Sequence, residues 1–284
     1  PLYTSLSFDL TLTSIFSPIL RGGQIKITTD NTNVITLLGE VIGSMKINAI
    51  KITPAHINIL ENIRITNKEI SKIIVGGEKL THTQVDILRK INSEIRIYNE
   101  YGPTEGTVGN TVKEIEKQEN KILIGRPISN TKIYIVDSEQ NLLPVGVVGE
   151  ICISGEGLAR GYLNNPELTK KKFVSNPFKE GDRMYKTGDI GRWLPDGNIE
   201  FIGRKDDQVK IRGYRIELGE IESTLQGNEF IESSIVVVKE DKAGEKVLVS
   251  YIVSAKEFNA DELRSYLKGL LPDYMLPSQY VQLK

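Results

Sequence analysis

The stretch SKIIVGGEKLTHTQVDILRKINSEIRIY (71–98) decides the fold class. It begins and ends with short Ile-rich runs of the kind found in buried parallel strands. Between them, Thr81 is followed three residues later by Gln84, which is the spacing of a helix capping box. Val85 and Leu88 then fall on one face of the helix that starts there. A strand, a helix and a second strand in this order predict a parallel sheet covered by helices.

The composition and the hydrophobic pattern of the sequence change near residues 120 and 205 and indicate three structural parts. Residues 1–120 read as an α/β core. In 121–205, short strands are interrupted by Gly and Pro, and Asp196-Gly197 is a strong hairpin signal; this part is predicted to be a β-rich, barrel-like subdomain. Residues 206–284 mix helices and strands and predict a small α+β domain.

Composition excludes several classes of function. Of 284 residues, 36 are Lys or Arg and 37 are Asp or Glu, so no overall field attracts nucleic acid or an anionic membrane. No apolar run approaches the ~18 residues of a spanning helix. Cys152 is the only cysteine, which rules out an internal disulfide and favours a reducing, cytoplasmic compartment. With only His56 and His82, four-ligand Cys/His zinc sites are excluded and a Ser-His-Asp triad is disfavoured.

Five motifs stand out, each of which alone would be an ordinary turn. They are NEYGPTE (99–105), GEGLARGY (155–162), YKTGD (185–189), GRKDDQVKIRGYRIELGEIE (203–222) and LPDYMLP (271–277). In this order and spacing they closely resemble the adenylation domains of nonribosomal peptide synthetases, members of the adenylate-forming superfamily that includes acyl-CoA ligases and luciferases. The resemblance runs from SLSFDLT (5–11) to the last residue.

The resemblance implies an activity with two half-reactions. Family members join a carboxylate to the α-phosphate of ATP with the help of Mg²⁺ and release pyrophosphate. They then transfer the acyl group to the phosphopantetheine thiol of a partner carrier domain. The implied partners are an amino-acid substrate, a peptidyl carrier protein domain and neighbouring synthetase modules, with neither nucleic acid nor membrane.

The resemblance also assigns the nucleotide site. It implies that Tyr101 stacks on adenine, Thr104 touches the phosphate, Glu105 holds Mg²⁺, Asp189 accepts the ribose hydroxyls and Arg204 contacts ribose and phosphate. A carboxylate is a suitable hard ligand for Mg²⁺. The structural alternatives are a solvated loop acid for Glu105 and a surface or hinge salt bridge for Arg204. The remaining positions implied to lie at the nucleotide are Gly76, Gly77, Glu78, Asn99, Gly102 and Phe201, which stands where many relatives have Tyr.

Residues after the β-rich part resemble the moving part of the family. Asp206 matches the hinge about which the small, mobile C-terminal domain rotates, and Lys210 matches a catalytic lysine that contacts the nucleotide. Gly213 matches a position lining the channel for the pantetheine arm, where a residue without Cβ permits close approach. The alternative is an ordinary turn glycine in a basic hairpin.

Nine positions match the family's amino-acid pocket: Asp9, Leu10, Thr13, Lys51, Ile74, Gly76, Glu100, Val108 and Gly109. Asp9 is the expected anion for the α-ammonium. Lys51 can donate and Glu100 can accept, which together suit the short amide of asparagine, while aspartate would bring a carboxylate against Glu100. The set also resembles the pockets of asparagine-activating domains. Alternatively, Lys51 and Glu100 form a structural ion pair with each other.

Two parts of the family's catalytic apparatus have no match in the 284 residues, namely the Ser/Thr/Gly-rich phosphate loop and the C-terminal catalytic lysine. We therefore expect a fragment truncated at both ends, with 1–120 as the C-terminal part of the large-domain core and 206–284 incomplete, and inactive alone. One alternative is an acyl- or aryl-CoA ligase, against which Asp9 and Pro103 argue. Another is a non-catalytic interaction module, against which the intact Glu105, Asp189 and Arg204 argue.

Overall fold

Contacts along the chain separate two compact units, Pro1–Lys205 and Asp206–Lys284. None of the helices in the part of the chain that the structure covers is long and apolar enough to cross a membrane. The structure is a computed structural model that describes residues 1–28, 34–63, 65–241 and 246–283.

The first unit begins with an α/β layer. Its helices are α1 (Leu10–Leu20), α2 (Val34–Gly43), α3 (Pro54–Leu60) and α4 (His82–Ile91). Its strands are β1 (Ala49–Ile52), β2 (Lys72–Gly76), β3 (Arg96–Tyr101), β4 (Thr111–Ile115) and β5 (Arg126–Pro127). They form one sheet in the order β1-β2-β3-β4-β5.

The strand–helix–strand unit predicted from the sequence is present as β2, α4 and β3. The Thr81 side chain accepts from the Gln84 backbone N–H, and the Gln84 side chain accepts from the Thr81 backbone N–H, which completes the capping box. Val85 and Leu88 are buried against the sheet core. Local capping and periodicity therefore determine this element.

The prediction of a parallel sheet is correct only for β1, β2 and β3. Strand β4 runs antiparallel to β3, and β5 antiparallel to β4, so the sheet is mixed. A parallel return requires a crossover of about a dozen residues or more. The short segment 102–110 cannot supply one, and the chain turns back along the edge of β3. The sheet extends to Pro127, beyond the boundary expected at 120.

The rest of the first unit is an antiparallel sheet. Its elements are β6 (Thr131–Val136), β7 (Gly149–Gly155), α5 (Pro166–Lys172), β8 (Phe173–Ser175), β9 (Arg183–Trp193) and β10 (Ile199–Arg204). The order is β10-β9-β7-β6, with β8 also paired to β9, so the described strands form an open sheet rather than a closed barrel. The predicted turn joins β9 to β10, with Gly197 at φ 77°. Cys152 on β7 is fully buried, and burial raises the pKa of its thiol to about 12.

The second unit combines helices and strands. Its elements are β11 (Val209–Ile211), β12 (Tyr214–Ile216), α6 (Leu218–Gln226), β13 (Ile231–Glu240), β14 (Lys246–Ser254), α7 (Ala260–Lys268) and β15 (Gln279–Leu283). Strand β14 pairs antiparallel with β13 and parallel with β15. An apolar core joins both helices to this sheet, with Ile221, Ile252 and Leu267 fully buried.

Candidate active site

One face of the first sheet carries the side chains that the sequence assigned to the amino-acid pocket. Lys51 pairs with Ile74, and Ile74 pairs with Tyr98 on the next strand. Because side chains alternate along a strand, Glu100 lies on the same face as Tyr98. These four residues and Thr13 of α1 line a cavity of about 960 Å³.

A buried ion pair stands on this face. Lys51 is only 3% exposed, and its ammonium contacts the Glu100 carboxylate and donates to Thr13 Oγ1 at 2.9 Å. Two glycines leave room for Glu100, since a Cβ at Gly109 would lie 2.5 Å from its carboxyl carbon and a Cβ at Gly76 would lie 3.2 Å from its backbone carbonyl oxygen. The ion pair that the sequence left as an alternative is thus present.

The loop that follows β3 has an unusual backbone. Thr104, Glu105 and Gly106 form one short 3₁₀ turn. Thr107 and Val108 follow in the left-handed region, at φ 64° and 70°. That region is unfavourable for β-branched residues, and such strain is concentrated at functional sites.

Asn110 holds the two ends of this loop together. Its backbone N–H donates to the Tyr101 carbonyl at 2.8 Å, and its Nδ2 donates to the Gly106 carbonyl at 2.7 Å. A Cβ at Gly102 would lie 2.6 Å from Asn110 Oδ1, so Gly102 is required by close packing. Asn110 is 1% exposed, and its Oδ1 has no hydrogen-bond partner in the described ranges.

Asp9, at the start of α1, reaches this loop. Its Oδ2 accepts a hydrogen bond from Thr104 Oγ1 at 2.5 Å. The two residues are 95 positions apart in sequence. The residue expected at the substrate ammonium and the residue expected at the phosphate are therefore neighbours.

The side chain of Glu105 in this loop is buried. Its Oε1 accepts from the Tyr162 hydroxyl at 2.6 Å, and its backbone carbonyl accepts from Ala159 N–H at 2.8 Å. The Tyr162 oxygen lies 3.3 Å from that of Tyr185. Burial, together with the hydrogen bond to Glu105, raises the pKa of Tyr162. At this oxygen the carboxylate is therefore held by the neutral Tyr162 hydroxyl.

A second buried network lies where β3 approaches β9 and β10. Asp189 Oδ2 accepts from the Tyr101 hydroxyl at 2.6 Å, and Asp189 Oδ1 accepts from Arg204 Nη1 at 2.6 Å. The antiparallel register places Arg204 opposite Asp189. Burial, and then the nearby Asp189 charge, raise the pKa of Tyr101 well above its ordinary value. The Phe201 ring lies 6.0 Å from the Tyr101 ring, so one aromatic wall adjoins the network.

A family model described as AMP-binding enzyme matches residues 2–163, more than half of the chain, including the loop with Thr104 and Glu105. The chain belongs to the AMP-binding enzyme family. Its resemblance to the adenylation domains of nonribosomal peptide synthetases is confirmed by the relatives that follow.

The relatives of this chain include large synthetases. It is 45% identical over 287 residues to tyrocidine synthase 3 of Brevibacillus parabrevis, covering 100% of the chain and 4% of that protein. Among solved structures, holo-PA1221, an NRPS protein containing adenylation and PCP domains, matches with a TM-score of 0.89 at 26% identity, over 100% of this chain and 49% of that one. Holo-AB3403, a four-domain nonribosomal peptide synthetase bound to AMP and glycine, matches at 34% identity with a TM-score of 0.65, over 99% and 21%. The chain spans a small part of the curated relatives it matches.

Other predicted nucleotide positions lie around the same strand ends. Gly76 ends β2, and Gly77 follows with φ 94° before Glu78. Asn99 differs, because strand alternation places it on the face opposite Glu100. One N–H of its Nδ2 donates to the Leu123 carbonyl at 2.8 Å, and the amide nitrogen carries a second N–H. A nucleotide role for Asn99 remains a prediction.

The pocket positions Leu10 and Val108 complete the predicted set. Leu10 is buried at the first position of α1, beside Asp9. Val108 is half-buried in the strained loop, and the structure gives no side-chain contact that tests its role.

The predicted residues of the second unit lie near its start. Asp206 is its first residue, and Lys210 lies on β11 opposite Arg215. Gly213 and Arg212 form the two-residue turn between β11 and β12, with φ 82° and 53°. A two-residue hairpin with both φ values positive favours glycine by itself. The turn therefore accounts for Gly213, and its channel role remains a prediction.

Two site residues were not identified from the sequence. Tyr162 was quoted only as the end of a motif, although its hydroxyl supports Glu105. Asn110 directly follows the pocket position Gly109 but lies outside the NEYGPTE motif (99–105), so no motif marked it as functional. Both act through contacts that only the folded loop creates.

Proposed function

We propose that this chain is part of an amino-acid-activating adenylation domain that forms aminoacyl-AMP from ATP and an amino acid, with asparagine as the preferred substrate. The main support is the Tyr101–Asp189–Arg204 network, whose three residues the family resemblance assigns to one nucleotide. The Tyr101 hydroxyl and the Arg204 guanidinium each donate to the Asp189 carboxylate at 2.6 Å. Residues 88 apart in sequence converge there.

In the proposed site, Asp189 exchanges its contact with Tyr101 for the two ribose hydroxyls. Arg204 pairs with that carboxylate at 2.6 Å and faces the negative charge of the nucleotide. The Tyr101 ring, next to Phe201, offers an aromatic surface for adenine. An aromatic surface and a paired carboxylate together suit a nucleoside.

Glu105 fits the role of a Mg²⁺ ligand. Protein sites for this ion commonly use one or two carboxylates together with substrate phosphates. In the described part of the chain no group of three or more His, Cys, Asp or Glu side chains is placed to hold a metal ion by itself. Bound Mg²⁺ would neutralise phosphate charge. Tyr162 keeps Glu105 oriented for this contact by its hydrogen bond at 2.6 Å.

The proposed chemistry has two steps. In the first, a carboxylate oxygen of the amino acid attacks the α-phosphorus of ATP, the bond from that phosphorus to the bridging oxygen breaks, and pyrophosphate leaves. In the second, a phosphopantetheine thiol gives up its proton, its sulfur attacks the acyl carbon, and AMP leaves. The residues of this chain position the reactants and stabilise charge, which is where preorganised groups act most strongly.

The hydrogen-bonding capacity that remains at the Lys51–Glu100 ion pair supports the preference for asparagine. An ammonium has three donors, and Lys51 uses two of them, one on Glu100 and one on Thr13, which leaves one N–H. The other Glu100 oxygen, Oε1, has no hydrogen bond within the described residues, and the Glu100 side chain is 17% exposed. One donor beside one acceptor matches the C=O and NH₂ of a short primary amide. A carboxylate in the same place would meet Glu100 unfavourably.

The relatives support the remaining parts of the proposal. Holo-AB3403 is described as bound to AMP and glycine, and holo-PA1221 as containing adenylation and PCP domains. We extend this to an amino acid, ATP, a carrier-domain partner and neighbouring synthetase modules for this protein. We also propose that the second unit turns about Asp206 between the two steps, with Lys210 reaching the nucleotide and Gly213 lining the path of the pantetheine arm.

The test is amino-acid-dependent exchange of pyrophosphate into ATP by the full-length protein, with each of the twenty amino acids. We expect exchange above background with asparagine and weaker exchange with aspartate. Exchange with another amino acid only would overturn the asparagine assignment, and no exchange with any would overturn the proposed activity.

A further inference from the structure

We propose that Glu150 is a positioning residue for Asp189, and that its carboxylate fixes the backbone turn from which Asp189 reaches the nucleotide. The inference rests on the proposed function, in which Asp189 accepts the two ribose hydroxyls. Glu150 lies on β7 and is only 8% exposed, yet no part of the proposed chemistry uses it. A buried carboxylate is costly without strong partners, so its contacts indicate what it does.

The first observation is the irregular pairing of β7 with β9. The register places Glu150 opposite Ile190 and Cys152 opposite Lys186. Between these two pairs β7 has one residue and β9 has three, which are Thr187, Gly188 and Asp189. Such a bulge interrupts the ladder and redirects a side chain, and bulges are frequent beside active sites. Gly188 lies at its centre with φ 76°, a conformation that favours glycine.

The second observation is how the Gly188 backbone is held. Its N–H donates to Glu150 Oε1 at 3.1 Å, and its carbonyl accepts from the Lys205 N–H at 2.8 Å. Strand β10 ends at Arg204, so Lys205 approaches from the β10 side of β9, whereas Glu150 approaches from the β7 side. The residue before Asp189 is thus fixed from both neighbouring strands.

The third observation concerns the other oxygen of Glu150. Its Oε2 lies 3.9 Å from Lys205 Nζ, and the Lys205 side chain is 59% exposed. A long ion pair to an exposed side chain contributes little, whereas a hydrogen bond to an ionised acceptor is about twice as strong as a neutral one. The Gly188 N–H is therefore the more important partner. Positioning requires an acceptor oxygen that reaches Gly188, and an ion pair requires only the charge.

The experiment measures the Kd of AMP for the full-length protein by titration calorimetry, which does not depend on the identity of the amino acid. Glu150→Asp retains the charge but withdraws the carboxylate from Gly188 by the length of a methylene group. We expect AMP to bind about tenfold more weakly, which is the low end for a hydrogen bond to a charged group. Glu150→Gln keeps an acceptor oxygen at the same reach and loses the charge, and it should bind AMP within about threefold of the wild type.

A second ligand tests whether the effect passes through Asp189. The dideoxy analogue of AMP lacks both ribose hydroxyls, so it cannot use the Asp189 carboxylate in the proposed way. We expect its Kd to change by less than about threefold in Glu150→Asp, because the contact that depends on Glu150 is already absent.

Ser154→Ala is the matched control. Ser154 is a fully buried polar residue of β7 that also bonds to β9, by donating to the Arg183 carbonyl at 2.7 Å. The substitution therefore removes a buried contact between the same two strands, away from the bulge. We expect the affinity for AMP to stay near that of the wild type.

The outcomes separate this inference from the proposed function. An equal loss for AMP and its dideoxy analogue in Glu150→Asp would overturn the inference, by showing a general effect on the fold. Tight AMP binding by Glu150→Asp with weak binding by Glu150→Gln would also overturn it, and would assign Glu150 to its ion pair with Lys205. If the wild type binds AMP but activates no amino acid, the proposed activity fails while these affinities still decide the inference. If the wild type binds no AMP, both fail.

Discussion

The two compact units bury different kinds of side chain. In the first unit the charged residues that are buried within the described ranges are Lys51, Glu105, Glu150 and Asp189. The described part of the second unit buries no charged side chain, and its buried polar residues are Gln208, Ser234 and Ser250. Burying a charge costs several kcal/mol unless it is well paired. The first unit thus carries a cost for which the proposed substrate site offers a reason at Lys51, Glu105 and Asp189, whereas the second follows ordinary apolar packing.

The largest expected effect tests whether those buried charges serve the nucleotide. Asp189→Ala leaves the Arg204 guanidinium and the Tyr101 hydroxyl without their shared acceptor. We expect kcat/KM for ATP in the full-length protein to fall about 100-fold or more, as for breaking a buried pair, with a much smaller change in amino-acid binding. The measurement is pyrophosphate exchange at varied ATP.

Asp182→Ala is the matched control for that substitution. Asp182 pairs with Lys179 at the surface, where such pairs contribute little. Unchanged kinetics for ATP in Asp189→Ala would return Asp189 to a purely structural role.

A smaller effect is expected at the amino-acid end. Glu100→Gln keeps the shape of the side chain but removes the anion beside Lys51, so the carboxylate of aspartate becomes tolerable. We expect the aspartate/asparagine ratio of kcat/KM to rise about 10-fold to 100-fold, which equals about 1.4–2.7 kcal/mol. Glu114→Gln, which alters an exposed pair with Arg96, is the control. A wild-type preference for asparagine that survives Glu100→Gln would show that Glu100 does not contact the side chain.

We also expect the folding stability of the first unit to decrease at acid pH. Burial lowers the pKa of His56 to about 4, from 6.5 when unfolded. Between these values the unfolded chain binds the extra proton and the folded chain does not, so stability is lost as the pH falls. We expect about 1–2 kcal/mol less stability at pH 5 than at pH 7 from this residue.

Urea denaturation followed by the fluorescence of Trp193, the only tryptophan, checks this in the first unit. The pH dependence should shrink by that amount in His56→Gln and persist in His82→Gln, because His82 is exposed. Equal pH dependence in the wild type and His56→Gln would contradict the assignment.

The smallest effects are expected from two glycines of the second unit. Gly213→Ala places a Cβ at φ 82° and should destabilise the β11–β12 hairpin by about 1 kcal/mol. Gly219→Ala, in α6 with open space around the new Cβ, should stabilise by about 0.5 kcal/mol. Hydrogen exchange over residues 206–284 measures both. Carrier loading that falls far more than stability in Gly213→Ala would favour the channel role.

Capping residues and hydrophobic periodicity predicted the helices and strands. The features that could not be predicted depend on contacts between residues far apart in sequence. Helix α4 was predicted because Thr81 and Gln84 act within one turn. The antiparallel direction of β4 was missed because it depends on the short loop 102–110, which cannot provide a parallel crossover, and not on the strand propensity of the residues in β4. The partners of the acids were equally non-local, with Lys51 lying 49 residues from Glu100 and Tyr162 57 residues from Glu105. Motif resemblance located the acids themselves but not the groups that orient them.

The buried Cys152 gives the protein a practical property. Its thiol is inaccessible and stays protonated at neutral pH, so maleimides and other alkylating reagents have no reactive sulfur on the native chain. A single cysteine introduced on each side of Lys205 would then be labelled selectively with a donor and an acceptor dye. Energy transfer between the dyes would follow the two units of this chain without first removing any of its native residues.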